Sequence, residues 1–409
     1  MANKERYLQI ILLLNLLLQF CSSTNINDKY TLESVHLIFR HGDRTPSKLE
    51  IYPKAPYNPI YESLGYGQLT DKGKIREFQL GALLRTKYSK FLGGHHTYGS
   101  VYAYSSDVDR TKMSLQLVMA GIYPPTIGEE GNIRLSPIPA SYVPNIVDNI
   151  MFSSLCPKYI KEYFRVSNLP VIRKEILKNK DLLSYLEEHT GLNMKINPLL
   201  QIYKLHHFLM SQISMNIALP EWATENVRNK IEKLVALEYN ILSYNTLMKR
   251  LNGGFIIKEF LQNLNKPQNA SAPKIYVYSG HELNIAAFAK AHDLVEPKLP
   301  AFGSAIIVEK LRNHNGVAHI QMHLWTGVTE QLITYKIPKC EKICPYNKYL
   351  KLIEHVIPCD EEINCLWNNI SLNSLHAYYD GDKMPFETNR NHISARNRDE
   401  TQVLSHFCQ

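Results

Sequence analysis

The sequence predicts an α/β fold in which a helical cap interrupts a sheet-forming domain, and three observations carry that prediction. Apolar, β-branched segments of strand length lie at 31–39 and 101–104, and again at 274–278, 304–312, 318–325 and 332–337. Between the two groups, from about 126 to 268, runs such as VIRKEILKNKDLLSYLEEH show a helical period and few strand signals. Three of the strands also end directly in polar clusters, FRHGDR, YSSDVDRT and YSGHELN. Strands on both sides of a helical middle are the pattern of an α/β domain with an insertion.

At the N-terminus, Lys4 and Arg6 precede an apolar stretch from Ile10 to Phe20, and the small residues Cys21, Ser22 and Ser23 follow it. That order is a secretory signal peptide over 1–23, and its apolar stretch is short for a membrane span. The remainder divides into a sheet domain, 24–125 with 269–409, and a helical cap, 126–268. Net charge is +8 over 409 residues and is spread along the chain without a basic tract. Such a surface speaks against a nucleic-acid partner. No later window is apolar enough to expect a membrane span.

Beyond the leader the cysteines are Cys156, Cys340, Cys344, Cys359, Cys365 and Cys408. An even set behind a signal peptide implies disulfides in an oxidising compartment, with zinc binding by CEKIC and CDEEINC as the competing reading. Asn269 and Asn369 each open an Asn-X-Ser glycosylation sequence in a polar stretch.

Element by element, Thr31 to Phe39 reads as a buried strand. Thr70 is the expected N-cap of a helix through about Phe91, with Ile75, Phe78, Ala82 and Leu83 on one side. Val101 to Tyr104 is a second strand, followed by a helix carrying Met113, Leu117 and Ala120 that Gly121 and Pro124-Pro125 close. Lys274 to Tyr278 returns to strand, SGHELNIAAFAKAH is a helix, and SAIIVEKLR, AHIQMHLW and LITYKI are late strands.

In open α/β sheets ligands bind beyond the carboxyl ends of strands, so the three clusters pool Arg40, His41, Asp43, Arg44, Arg110, His281 and Glu282 in one pocket. Three arginines without matching acids call for an anion, and the planar guanidinium suits phosphate oxygens. A histidine in that positive field stays neutral, with a ring nitrogen free to attack phosphorus. Glu282, opening a helix, is placed to protonate a departing alkoxide. A rival reading makes His41, His281, Asp43 and Glu282 ligands of a metal in a metal-dependent phosphohydrolase, which neighbouring arginines would oppose. His36 reads as a core side chain, and His95, His96, His206 and His207 as loop or helix-surface residues.

RHGDRTP, SSDVDRT and SGHE, in this order and at these separations, resemble the histidine acid phosphatases of the histidine phosphatase superfamily, with the insect venom enzymes nearest. LTDKGKIREFQLGALLR resembles that family's helix after the nucleophile. The resemblance implies a mixed, phosphoglycerate-mutase-like sheet with an inserted helical domain, and a secreted acid phosphatase that needs no cofactor and no metal. His41 would be the nucleophile, Arg40, Arg44, Arg110 and His281 would bind the phosphoryl group, and Glu282 would donate the proton. It further implies the disulfides Cys156–Cys365, Cys340–Cys344 and, for the remaining pair, Cys359–Cys408. A small phosphate ester as substrate and a homodimer are also in keeping with the family, and the polar C-terminal tail implies release without a membrane anchor. One departure stands out: the family commonly has Asp where this chain has Glu282. A weakly active secreted binding protein or allergen of the same fold is the reading which that departure leaves open.

Overall fold

The computed structural model of the chain describes residues 29–127, 132–134, 136–267 and 272–363. Strand β1 (Tyr30–Arg40) leads through a loop to helix α1 (Asp71–Lys87), then β2 (Val101–Ser105) and α2 (Asp109–Ile122). A two-stranded ribbon, β3 (Thr126–Ile127) with β4 (Ile133–Arg134), opens the stretch expected to be mainly helical. The helices that follow are α3 (Pro157–Ser167), α4 (Pro170–Leu177), α5 (Lys180–Thr190), α6 (Pro198–Ser214), α7 (Glu225–Ile241), α8 (Thr246–Leu251) and α9 (Gly253–Leu264). The chain then returns to the sheet through β5 (Ile275–Gly280), α10 (Glu282–Ala291), β6 (Ala305–Asn313), β7 (Ala318–Trp325), β8 (Leu332–Thr334) and β9 (Ile343–Pro345).

The main sheet runs β2-β5-β1-β6-β7-β8, with β9 on β7. Strands β2, β5 and β1 are parallel and the later strands antiparallel, so the sheet is mixed. Central β1 is covered on both faces, which is why its sequence is a nearly continuous apolar run. Val35, Leu37 and Phe39 pack against α1 and α2, while Ile38 packs with residues of α9 and α10 on the other face. Each fully buried side chain of this kind contributes roughly 1.5–3 kcal/mol. A separate apolar cluster joins α3 to α8 with Tyr52 and Tyr61 of the loop after β1. Helix α9, which the sequence assigns to the cap, packs through Ile256, Phe260 and Leu261 into the cluster under the sheet.

The buried face of α1 differs from the expected one. Ile75 and Phe78 are 59% and 41% exposed, and Gly73, Arg76, Glu77, Leu80, Gly81 and Leu84 face inward. Gly81 and Gly121 set this face, because α1 meets α2 backbone to backbone: a Cβ on Gly81 would lie 2.2 Å from Val118 O. Close approach of the chain, not side-chain hydrophobicity, decides the rotation of the helix. Thr70 does cap α1, accepting from Gly73 N at 3.2 Å, but the helix stops at Lys87 and a short turn, Ser89–Leu92, completes the expected span.

Cys340 and Cys344 form a disulfide that closes a small loop running into β9, and β9 pairs with β7, a strand pairing the sequence did not suggest. Cys156 is disulfide-bonded, and its expected partner Cys365 lies outside the described residues. Cys359 is a free thiol in the structure, and its expected partner Cys408 also lies outside the described residues, as do Asn269 and Asn369. Among the described residues no helix is long and apolar enough to cross a membrane.

Candidate active site

The three polar clusters meet at one edge of the sheet. Arg40 stands opposite Gly280 and Ser105 opposite Ser279, so β1, β5 and β2 end at the same level. Backbone bonds continue that alignment past the strands, with His41 N donating to Gly280 O and Ser106 N to Ser279 O, both at 3.1 Å. The loop after β1 then turns against α1 so tightly that a Cβ on Gly42 would lie 2.5 Å from Gly73 O. His41, Arg44, Arg110, His281 and Glu282 thereby share the wall of a cavity of about 290 Å³.

His41 is fully buried in the fold apart from that cavity, and its Nδ1 lies 2.9 Å from Gly42 O. A carbonyl only accepts, so Nδ1 carries the proton and Nε2 carries the lone pair. Nε2 has no hydrogen-bond partner among the described residues. Burial, with the guanidiniums of Arg110, Arg40 and Arg44 nearby, holds this imidazole well below its usual range, and the ring is neutral. His281 is fixed in a complementary way. Its Nδ1 is 3.5 Å from Arg110 Nη2, a group that only donates, so its proton sits on Nε2, 3.1 Å from Ser106 Oγ. Burial and Arg110 push His281 down to about 3.

The arginines are not without acids, which corrects the sequence expectation. Arg44 is gripped by Glu50, Nη1 to Oε2 at 2.8 Å and Nη2 to Oε1 at 2.5 Å, from a turn six residues on. Arg40 reaches Glu282, Nε to Oε2 at 3.2 Å, donates to Pro300 O at 2.7 Å and lies over the Phe302 ring at 4.1 Å. It is not part of the cavity wall. Among the described residues Arg110 has no carboxylate partner of its own, and burial together with the Arg44 charge lowers it to about 10. The Nε groups of Arg44 and Arg110 are buried donors without partners among the described residues. Two unpartnered charged donors on one wall are an incomplete site that an oxyanion completes.

Glu282 is 5% exposed at the first position of α10. Burial raises its pKa, but the Arg40 guanidinium outweighs that and holds the carboxyl well below its usual range. Two groups on α6 that the sequence reading placed on a surface or left out complete its environment. Tyr203 donates its hydroxyl to Glu282 Oε1, and His207, 2% exposed, has Nε2 at 3.5 Å from the same oxygen. His206 is buried as well. The spacing of Tyr203 and His207 puts both on one helix face, yet nothing local says that this face meets the strand ends. Glu50 gave no signal either, since it stands in a loop without period.

Asp43, pooled with the pocket from the sequence, turns away from it. It forms a buried ion pair with Arg76 of α1 and accepts from Ser214 Oγ of α6 at 2.6 Å, so it braces the His41 loop from two helices. Among the described residues no three His, Cys, Asp or Glu side chains converge as a metal-binding group. His36 stacks on Tyr276 at 4.3 Å in the sheet core, and His95 and His96 lie away from the site on a loop.

A mixed sheet whose parallel strand ends collect a neutral histidine, unpartnered guanidinium donors and a buried carboxylate is the architecture of a phosphoryl-transfer enzyme. The chain belongs to the histidine phosphatase superfamily (branch 2), whose family model matches residues 31–324. It is similar to venom acid phosphatase Acph-1 of Apis mellifera, 39% identical over 82% of this chain and 87% of that protein. It is 30% identical to the lysosomal acid phosphatase of Homo sapiens, over 82% of this chain and 80% of that one. The prostatic acid phosphatase of Homo sapiens is also 30% identical, over 83% and 89%. Among solved structures, Hafnia alvei phytase in complex with myo-inositol hexakis sulphate superposes with a TM-score of 0.63 at 16% identity, over 81% of this chain and 98% of that one. Klebsiella sp ASR1 phytase gives 0.62 at 14%, over 81% and 99%. At such identities the structural likeness speaks for the fold alone.

Proposed function

We propose that this phosphatase is a secreted acid phosphatase that hydrolyses phosphate monoesters through a phosphohistidine at His41, with Glu282 as proton donor. The observation that carries the reading is the pairing of a lone-pair Nε2 on His41 with unpartnered Nε donors of Arg44 and Arg110 on the same cavity wall. The phosphoryl oxygens bind Arg44, Arg110 and His281, and compete with Glu282 for Arg40. His41 Nε2 attacks phosphorus, the ester P–O bond breaks, and the leaving oxygen takes the proton of Glu282. Water then attacks the phosphohistidine, passes a proton to the Glu282 carboxylate, and the P–N bond breaks to release phosphate.

Arg40 keeps Glu282 ionised before substrate binds, so the proton arrives with the substrate. The dianion of a phosphate monoester takes up one proton near pH 6 to become the monoanion. The monoanion supplies that proton, and neutralising Arg40 raises the carboxyl to receive it, which gives an acidic optimum. The chemistry uses no cofactor and no metal. The helices between 126 and 268 act as a cap over the strand ends, and the leader at 1–23 directs secretion. Likeness to a venom acid phosphatase supports export.

A phosphate-ester panel across pH, with and without EDTA, tests this reading together with His41→Ala. Turnover is expected below neutral pH and unaffected by EDTA, and His41→Ala lowers it on the order of a thousandfold or more. Full turnover by His41→Ala, or loss of activity to chelator, contradicts it.

A further inference from the structure

We infer that Tyr203 and His207 of α6 are positioning residues that adapt the longer Glu282 side chain to the proton-donor role. The inference rests on Glu282 being that donor. The Tyr203 hydroxyl donates to Glu282 Oε1, and His207 Nε2 stands 3.5 Å from the same oxygen. The proton position on His207 follows from its other nitrogen. Nδ1 is 3.4 Å from Arg40 Nη2, a group that can only donate, so the neutral ring carries its hydrogen on Nε2, facing the carboxylate. The Tyr203 and His207 rings meet edge to face at 4.4 Å, and both come from a single turn of α6. Oε1 is thus held from the helical region, while Oε2 faces Arg40 of the sheet at 3.2 Å.

Side-chain length gives this arrangement its purpose. Glutamate carries its carboxyl one carbon–carbon bond, about 1.5 Å, further from the backbone than aspartate does. It also adds a rotatable bond, so an unsupported Glu282 samples positions from which no leaving oxygen is reached. Tyr203 and His207 select one position. Tyr203 also donates to the ionised form of the carboxyl, and His207 keeps its Nε2 proton 3.5 Å from the same oxygen, which together set how readily the carboxyl takes up the catalytic proton. An aspartate at 282 would fall short of the Tyr203 hydroxyl.

Leaving groups of different basicity read this out. Alkoxide departure requires a proton in the transition state, whereas 4-nitrophenolate leaves with little assistance. In Tyr203→Phe, kcat with glycerol 2-phosphate is expected to fall roughly three- to tenfold, the effect of one hydrogen bond, and kcat with 4-nitrophenyl phosphate distinctly less. The limb of the kcat/KM profile that belongs to Glu282 moves to higher pH, because a donor to the carboxylate has been removed. His207→Gln shifts the same ratio in the same direction. In a Glu282→Asp background, Tyr203→Phe has no further effect on the ratio of the two substrates.

Equal losses on both substrates in Tyr203→Phe and His207→Gln, or effects of Tyr203→Phe and Glu282→Asp that multiply, would overturn the inference. Glu282→Gln separates it from the reading beneath it. If Glu282→Gln leaves the substrate ratio unchanged, Glu282 is not the proton donor and both fall. If Glu282→Gln changes the ratio while the α6 variants do not, only the positioning role falls.

Discussion

Arg44 and Glu50 form a two-pronged ion pair in the wall of the cavity, with Arg44 Nη1 2.8 Å from Glu50 Oε2 and Nη2 2.5 Å from Oε1. The guanidinium is therefore oriented before any ligand arrives, and its Nε is left over as a donor without a partner among the described residues. Burial opposes both charges, yet the pair keeps Glu50 below and Arg44 above their ordinary ranges. Glu50→Gln leaves Arg44 buried without its counter-charge, and breaking such a pair costs roughly 3–5 kcal/mol. Inorganic phosphate restores a counter-charge, so the phosphate-induced rise in Tm is expected to be larger in the variant than in the wild type. Thermal melts of both proteins across a phosphate series check this; equal shifts contradict it.

Asp43 governs the placement of His41 without touching substrate. It is tied to Arg76 and Ser214, and the next residue back, Gly42, accepts the His41 Nδ1 proton. Asp43→Asn retains the shape but leaves Arg76 uncompensated, a loss of about 3–5 kcal/mol in urea unfolding. Activity per folded molecule is expected to fall on all phosphate esters by a common factor, because the whole loop shifts. A selective loss on alkyl esters would instead assign Asp43 to proton transfer.

Glu238, on α7 and 4% exposed, accepts the Tyr163 hydroxyl at 2.7 Å through Oε1, while its Oε2 has no partner among the described residues. Burial pushes this carboxyl up to about 7. Since the folded pKa is raised, the stability it contributes is fully present below the unfolded value near 4.3, and is lost as pH rises through about 7. The fold therefore favours the acidic conditions in which the proposed chemistry runs. Glu238→Gln removes the titration, and the variant is expected to melt higher than the wild type at pH 8 and within a degree or two of it at pH 4.5. Parallel pH dependence of Tm in the two proteins contradicts this.

The parts of the structure that were legible in the sequence are those fixed by local pattern. Strand β7 covers the expected residues, Ala318 to Trp325, and the Thr70 cap forms as its hydroxyl and position dictate. The convergence of Arg40, Ser105 and Gly280 was legible because each polar cluster follows its strand without an intervening residue, so parallel pairing alone brings them level. The rest depends on what an element meets in three dimensions. The face of α1 is set by Gly81 against Gly121, and an apolar count cannot register two missing side chains. His207 and Tyr203 have helical spacing but lie 74 or more residues before His281, and only the packing of α6 over the strand ends gives them a role. Glu50 pairs with Arg44 across a turn whose geometry no periodicity encodes.

The central claim is a covalent bond between His41 Nε2 and phosphorus, and trapping the enzyme during turnover tests it most directly. A reaction with 4-nitrophenyl phosphate is quenched in alkali, where a phosphohistidine survives, and the digested protein is mapped by mass spectrometry. The predicted result is one phosphorylated peptide containing Arg40 to Arg44, modified at His41 and absent from His41→Ala. Phosphate on another side chain, or steady turnover by His41→Ala at the wild-type rate, would contradict it.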